Sequence, residues 1–267
     1  MVVTMIDDAV PAGEGTPLVQ SVDRALAILE TIAASHDDVG VTELAQQMGV
    51  HKSTVSRLVA TLEARDLVEQ QQDRGKYRLG MGILRLAAAA NQSLDIVRVA
   101  RPAMRELSKA TGETVNLAVS ADLAALYVDQ LSGRSTLQSH SWVGQRIPVH
   151  ATSNGKVLLA WADDPDLVER VLERGLTRYT PRTIVSRAAL KREIELTRSR
   201  GWACAVDELE EGLTAIAAPV FDADDAVVAS ISVSGPGFRI DERLEEFAAA
   251  AVAAGAQASA RLGHRAP

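Results

Sequence analysis

The segment from Val41 to Leu62 constrains the fold of this chain more than any other part of its sequence. Its pattern predicts two short helices joined by a tight turn, which is the helix-turn-helix arrangement. Ala45 is small enough for the second helix to cross close over the first, and Gly49 stands where the turn needs a positive φ. Apolar contacts between the two helices are expected from Leu44, Val50, Val55 and Leu58.

The second of these helices has one apolar side and one polar side. Apolar residues recur with helical spacing and predict a buried stripe of Val55, Leu58, Val59 and Leu62. A rotation of about 100° per residue directs the hydroxyl residues and Arg57 away from that stripe or onto its flanks. Arg57 is suited to a bidentate pair with guanine, and Ser or Thr to bases or backbone. The predicted DNA-contacting residues of this helix are Lys52, Ser53, Thr54, Ser56 and Arg57.

A β-hairpin is predicted directly after this helix. Leu67–Gln70 and Lys76–Leu79 are short β-like runs with a polar turn between them, and a helix is expected before the motif, from Val22 to Ala34. A hairpin in this position is the wing of a winged helix-turn-helix domain. Two of its basic residues, Arg74 and Lys76, are predicted to contact DNA.

The charge of the chain limits how strongly one copy would hold DNA. The formal net charge is −7, but residues 51–80 contain six Lys and Arg against four Asp and Glu. Because phosphate neutralisation supplies most non-specific affinity, this modest basic excess predicts weak binding by a single copy. We therefore expect a working unit of at least two copies.

Length and composition favour a globular protein with two domains. The chain has 267 residues, of which 47% are hydrophobic. Its single cysteine, Cys204, excludes an intramolecular disulfide and a four-cysteine zinc site. Neither a membrane-spanning run nor a secretory signal is visible, so a cytoplasmic protein is expected, without a cofactor or a metal.

Four segments are predicted along the chain. Residues 1–17 are expected to be a flexible tail, residues 18–79 the winged helix-turn-helix domain, and residues 80–93 a linker helix. Residues 94–267 alternate between helical and β-like patterns, with helices before and after the strands. This order favours an antiparallel sheet covered by helices, in an α+β sensor-like domain.

The chain resembles the IclR family of bacterial transcriptional regulators from Leu18 to its last helix. The matching motifs are Gln20–Leu29 (QSVDRALAIL), Ser53–Leu58 (STVSRL), Tyr77–Gly80 (YRLG), His150–Lys156 (HATSNGK), Gly212–Val220 (GLTAIAAPV) and Ile231–Pro236 (ISVSGP). The resemblance implies a DNA-binding regulator, a repressor or an activator, with a GAF-like effector-binding domain that acts as a dimer or dimer of dimers. Its partners would be a palindromic DNA operator and a small organic effector, either a carboxylate or an aromatic compound.

The resemblance also implies an effector pocket. Carried over by position, its residues are Ser153, Asn154, Gly155, Asp207, Leu213, Ala215, Ser232 and Ser234. Backbone N–H groups at a helix start suit a carboxylate. The serines also fit a cross-strand bonded sheet face without any ligand. Asp207-Glu208 and Glu210-Glu211 are alternative acidic pairs, with Asp207 favoured. Apolar Leu213 and Ala215 suggest an effector that is larger and more apolar than glyoxylate or pyruvate.

Two other functions compete with this interpretation. Catalysis is disfavoured because Cys204 lies in a buried-looking strand and Asn154-Gly155-Lys156 fails the phosphate-loop pattern. A metal shared by His140 and His150 lacks a supporting His or Cys cluster. The remaining alternative is a DNA-binding architectural protein whose C-terminal domain senses nothing, and a metabolite-dependent DNA affinity would exclude it.

Overall fold

The structure is a computed structural model that describes residues 19–35, 37–71, 75–86, 95–133 and 141–265. The chain divides into two compact units, Met1–Leu94 and Asp95–Pro267. The predicted tail, residue Arg74 and most of the predicted linker helix, residues 87–93, lie outside the described residues.

The first unit contains the predicted helix-turn-helix and wing. Its elements are α1 (Gln20–Ala34), β1 (Val39–Gly40), α2 (Val41–Gln47), α3 (Lys52–Glu63), β2 (Val68–Gln70), β3 (Lys76–Leu79) and α4 (helical residues 81–86). The turn between α2 and α3 has Gly49 at φ 63°, the left-handed conformation that the sequence pattern predicts there. At the start of α2, the carboxylate of Glu43 accepts a hydrogen bond of 2.7 Å from the Gly40 N–H.

Apolar side chains from all three N-terminal helices form the core of this unit. Ile28 of α1, Leu44 of α2, and Val55 and Val59 of α3 are each fully buried. The wing closes on this core as an antiparallel sheet in the order β1-β3-β2. The short strand β1 was not predicted, because two residues carry no detectable period.

The second unit is built around one six-stranded sheet. Its elements are α5 (Asp95–Thr111), β4 (Thr114–Ala121), β5 (Ala124–Leu131), β6 (Arg146–Pro148), α6 (Ser153–Ala160), α7 (Leu167–Arg174), α8 (Arg187–Arg200), β7 (Ala203–Val206), β8 (Leu213–Phe221), β9 (Val227–Pro236), α9 (Gly237–Ile240), a 3₁₀ turn (Asp241–Arg243) and α10 (Leu244–Arg261). The strand order is β6-β5-β4-β9-β8-β7, and every pairing is antiparallel.

Helices cover this sheet as the sequence predicts. Helices α5 and α10 pack on each other and on strands of the sheet, whereas α6 packs on β7, β8, β9 and α8. The α+β architecture is therefore confirmed. The predicted last helix from Asp241 is instead divided into a 3₁₀ turn and α10, preceded by the short α9 that the sequence pattern did not predict.

Helix α6 approaches the preceding loop closely at Gly155. A Cβ atom at this position would lie 2.2 Å from the Cα of Val149, so only glycine allows the backbones to approach so closely. Thr152 caps the helix, because its side-chain oxygen accepts a hydrogen bond of 3.2 Å from the Gly155 N–H. These contacts fix the start of α6 beside the sheet.

Candidate functional sites

The polar side of α3 faces solvent in the first unit. Lys52, Ser53, Ser56 and Arg57 are exposed, and Thr54 is partly buried on the flank. The opposite side of the helix enters the core through Val55 and Val59. Small hydroxyl groups and one guanidinium on an exposed helix are suited to approach base edges and phosphates in a major groove. His51 occupies the N-cap position of α3, and its side chain makes no cap hydrogen bond.

The wing carries further basic residues. Lys76 and Arg78 alternate on β3, Lys76 partly buried and Arg78 exposed. The Arg78 guanidinium contacts the Glu69 carboxylate on the paired strand. This cross-strand pair offsets part of the positive charge of Arg78; phosphate contact by Lys76 stays a prediction.

A pocket lies in the second unit beside the start of α6. It encloses about 600 Å³ of space, its open mouth included. Strands β4, β5, β7, β8 and β9, together with the α6 N-terminus and the loop after β7, supply its walls. The lining residues are Thr114, Asn116, Tyr127, Trp142, Ala151, Thr152, Ser153, Ala205, Glu208, Leu209, Glu210, Leu213, Ala215 and Ser234. The mixture of apolar, aromatic and polar groups that line this cleft is typical of a small-molecule site.

The structure brings four of the eight predicted effector residues to the pocket: Ser153, Leu213, Ala215 and Ser234. Asn154 and Ser232 lie behind the wall, where the Asn154 Nδ2 donates to Ser232 Oγ at 2.8 Å. Gly155 serves the close packing of α6 described above. Whether the four lining residues bind an effector stays a prediction.

Asp207 does not line the pocket, although it is the favoured acidic residue of the sequence interpretation. Its backbone has φ 56°, and its Oδ1 accepts a hydrogen bond of 2.6 Å from the Gly212 N–H. The Asp207 Oδ2 lies 3.6 Å from the Arg182 Nε. These contacts hold the carboxylate on the turn before β8, and the neighbouring Glu208 lines the pocket instead.

Glu208 belongs to a buried group of charges. The Lys156 side chain is only 1% exposed, and its Nζ donates to Glu208 Oε1 at 2.6 Å. The same ammonium donates to the Cys204 carbonyl oxygen at 2.8 Å and lies 3.7 Å from Glu193 Oε1. Burial raises the pKa of the Glu208 carboxyl, and the Lys156 charge opposes part of that rise.

Two aromatic side chains and one amide complete the wall. The rings of Tyr127 and Trp142 meet edge to face, with centroids 6.5 Å apart. Burial raises the pKa of the Tyr127 phenol to about 12, although a hydrogen bond with the Asn154 side chain opposes part of that rise, so the hydroxyl stays neutral. The buried Asn116 Nδ2 donates to Ser234 Oγ at 3.3 Å.

The sequence interpretation did not assign Asn116, Tyr127 or Trp142 to the pocket, and it included Glu208 only in an acidic pair whose favoured member was Asp207. One available signal was Asn116, a polar residue between Val115 and Leu117 in an apolar strand. Such a residue on a buried face needs a hydrogen-bond partner or a ligand. Tyr127 and Trp142 could not be assigned to the pocket without the sheet order, because they come from separate parts of the chain.

The groups considered for catalysis are placed where they stay unreactive. Burial raises the pKa of the Cys204 thiol to about 11, so the thiolate needed for nucleophilic attack is scarce at neutral pH. Burial lowers the pKa of His150, and its Nε2 lies 2.9 Å from the Thr177 carbonyl oxygen. Among the described residues, no group of three or more His, Cys, Asp and Glu is arranged to hold a metal.

A winged helix-turn-helix unit joined to an α+β unit with a pocket is the architecture of a DNA-binding transcriptional regulator. The family model of the IclR helix-turn-helix domain matches residues 21–72, and that of the bacterial transcriptional regulator IclR C-terminal domain matches residues 88–260. The chain belongs to the IclR family.

Similar proteins agree with this assignment over nearly the whole chain. The HTH-type transcriptional regulator XynR of Escherichia coli K12 is 34% identical over 93% of this chain and 99% of its own. The transcriptional repressor IclR of the same strain is 34% identical over 96% of this chain and 94% of its own. An IclR homologue from Microbacterium hydrocarbonoxydans, solved in complex with 4-hydroxybenzoate, has a TM-score of 0.81 at 28% identity, covering 91% of this chain and 98% of its own.

The named relatives are regulators and repressors, so the chain is a regulator and not an enzyme. Across the part of the chain that the structure describes, none of the helices has the length and apolar character to cross a membrane.

Proposed function

We propose that two copies of this chain bind a palindromic operator in the cytoplasm, and that a small organic effector in the pocket changes their affinity for it. Helix α3 enters the major groove of each half-site, and the wing contacts the neighbouring backbone. The exposed polar side of α3, opposite a fully buried apolar side, carries this proposal. The residues we propose for DNA contact are Lys52, Ser53, Thr54, Ser56, Arg57, Arg74 and Lys76.

Exposed apolar residues in the first unit support pairing of two copies. Six large apolar side chains of α1, of α4 and of the residue just before α1 are more than half exposed. They are Val19, Val22, Leu26, Met81, Leu84 and Leu86. Val22 and Leu26 are four residues apart and share one side of α1. A soluble chain rarely leaves such a stripe uncovered, and burial in a partner removes it from water. Two copies also double the modest basic surface that meets DNA.

The pocket suits an organic effector with an apolar body. Leu213, Ala215 and Ala205 give it apolar wall, while Ser153 and Thr152 place hydroxyl groups at the start of α6. The positive end of the helix dipole favours a carboxylate there. A related regulator bound to 4-hydroxybenzoate shows this class of ligand in a similar fold. We therefore propose an aromatic or other organic acid, whose binding alters how well both recognition helices fit their half-sites at once.

The proposal is tested by selecting bound fragments from genomic DNA with the purified full-length chain. We expect an inverted repeat with half-sites about one or two helical turns apart. The recovered operator then serves in fluorescence-anisotropy titrations with 4-hydroxybenzoate and a panel of other organic acids. Recovery of fragments without a shared site would contradict sequence-specific regulation.

The same titrations separate a regulator from an architectural protein. A ligand that prefers one state must shift the DNA affinity and stabilise that state against heat. If no acid in the panel changes either the operator affinity or the melting temperature, sensing by the second unit is rejected, while DNA binding stands.

A further inference from the structure

We propose that the effector is a polyhydroxylated compound, and that the pocket recognises it through hydroxyl groups that donate to Glu208 Oε2 and Asn116 Oδ1. This inference rests on the proposed function, because it assumes that the pocket of the second unit holds the effector. It narrows the ligand from organic acids in general to those that present hydrogen-bond donors to these two acceptors.

Glu208 presents an acceptor without a partner. Its side chain is 10% exposed and lines the pocket. While Oε1 accepts from Lys156, Oε2 is buried and has no hydrogen-bond partner among the described residues. A buried carboxylate oxygen left in this state costs free energy, and most such groups in proteins are satisfied. A ligand group that donates to Oε2 would remove that cost, so it gains affinity.

The partner that Oε2 requires is a neutral donor rather than a cation. Lys156 already balances the charge of Glu208 at 2.6 Å, and Glu193, which lies 3.7 Å from the same ammonium, is balanced by Arg200 at 3.0 Å. A second cation would therefore add unbalanced positive charge to a buried group. A hydroxyl donates without adding charge, and an O–H···O⁻ hydrogen bond is short and strong.

Asn116 supplies a second acceptor of the same kind. It is 3% exposed and lines the pocket. Its Nδ2 is engaged with Ser234, whereas its Oδ1 is buried without a partner in the described part of the chain. An amide oxygen accepts hydrogen bonds and never donates them. Asn116 therefore also selects a donor.

The two acceptors occupy separate walls. Asn116 is on β4, whereas Glu208 follows β7, and β9 and β8 lie between those strands. Neighbouring strands are about 4.8 Å apart, so one hydroxyl does not serve both oxygens. The effector must carry hydroxyl groups at two positions, which is what distinguishes a polyhydroxylated compound from a simple acid.

The charges of the wall agree with this orientation. Glu208 and Glu210 are the charged side chains among the described lining residues, so a carboxylate placed near them would be repelled. An acidic group on the effector fits the other end of the pocket, where α6 begins at Ser153. The hydroxylated end of the ligand then faces Glu208.

The test uses two pairs of probes that keep the carboxylate and differ in their hydroxyls. Protocatechuate against its dimethyl ether veratrate tests the Glu208 end alone, because adjacent hydroxyls reach only one acceptor, whereas gluconate against hexanoate tests both acceptors. Binding to the full chain is measured by calorimetry and by thermal shift. We expect the better hydroxylated probe to bind roughly tenfold to a hundredfold more tightly than its partner, the range for hydrogen bonds to charged groups.

Variants assign that preference to the proposed acceptors. Glu208→Gln replaces an acceptor with a donor at similar size, so the preference for protocatechuate should vanish or reverse, and the preference for gluconate should decrease to the part that Asn116 supplies. Glu211→Gln is the matched control: it removes the same charge at an exposed neighbour that does not line the pocket, and the preference should persist. If Glu208→Gln does not fold, Asn116→Leu provides the second measurement, with a smaller loss of the same preference.

Three results would overturn the inference: equal binding within both pairs, a preference that Glu208→Gln leaves undiminished, or no binding by either hydroxylated probe. These three results can be distinguished from failure of the proposed function, which is sensing of an organic acid. If veratrate or hexanoate binds and shifts the affinity of the chain for its operator, the chain is an acid-responsive regulator whose pocket does not recognise hydroxyl groups. If no organic acid shifts that affinity, the proposed sensing itself fails.

Discussion

Asn154 of α6 and Ser232 of β9 are joined by a buried hydrogen bond of 2.8 Å between Nδ2 and Oγ, across 78 residues of sequence. The Oδ1 of the same amide accepts a hydrogen bond of 2.8 Å from Ser230 Oγ. Asn154 is completely buried, so it anchors the first turn of α6 to the central part of the sheet. The geometry of the pocket beside that turn depends on this attachment.

We predict that Asn154→Ala lowers the free energy of unfolding of the second unit by about 2–4 kcal/mol. The substitution removes two buried hydrogen bonds and leaves the hydroxyls of Ser230 and Ser232 with fewer partners. Chemical denaturation followed by circular dichroism measures the loss. Ser199→Ala, at an exposed position of α8, is the control and should change the stability by less than about 0.5 kcal/mol.

The same variant distinguishes an anchoring role from direct effector contact. If Asn154 anchors α6, stability falls together with any loss of ligand affinity. If Asn154→Ala instead weakened ligand binding while the unfolding free energy stayed unchanged, Asn154 would be a contact residue, as the sequence interpretation has it.

A second prediction concerns the exposed side of α3. Arg57→Ala should cost about 1–3 kcal/mol of operator affinity and relax the sequence preference at one base pair, because a bidentate pair with guanine is lost. Competition binding against a set of single-base operator variants measures both effects. Arg192→Ala, which removes the same charge from an exposed position of α8, should leave the preference unchanged. An Arg57→Ala variant with wild-type affinity for the operator would show that the exposed polar side of α3 is not the surface that contacts the bases.

The wing should contribute affinity without sequence preference. Lys76→Ala on β3 is expected to weaken binding to operator and unrelated DNA by the same factor. It should also reduce the slope of log affinity against log salt by about one unit, because one phosphate contact and its counterion release are lost. Titrations at several salt concentrations give both quantities. A loss confined to the operator would mean that Lys76 contacts a base instead.

The main helices, the wing and the succession of helical and β-like segments were predictable because each has a local signal. Hydrophobic periodicity placed α3, and Gly49 marked its turn, as the φ of 63° bears out. The pocket was harder, since the sequence does not reveal which strands become neighbours. Asp207 and Glu208 illustrate this limit. They are adjacent in sequence, yet the turn before β8 engages one carboxylate and Lys156, 52 residues away, engages the other.

The last prediction uses the buried imidazole of His150. Desolvation is the main cause that lowers its pKa below the ordinary value of 6.5, and the nearby Lys156 charge acts in the same direction, whereas the hydrogen bond to the Thr177 carbonyl oxygen opposes them. Below pH 6.5 the unfolded chain therefore binds a proton that the folded chain resists. The free energy of unfolding must fall as the pH falls through this window.

Other groups titrate in the same range, so the effect is measured as a difference between wild type and His150→Gln. Glutamine retains an N–H donor for the Thr177 carbonyl but takes up no proton. Denaturation at a series of pH values should show the wild type losing stability relative to His150→Gln as the pH decreases below about 6.5, with the difference constant above it. The pH dependence arising from Glu208 is common to both proteins and cancels. The contrary outcome is a wild type that gains stability relative to His150→Gln as the pH decreases. It would mean that His150 binds a proton more readily in the folded than in the unfolded chain, which is opposite to the effect of burial.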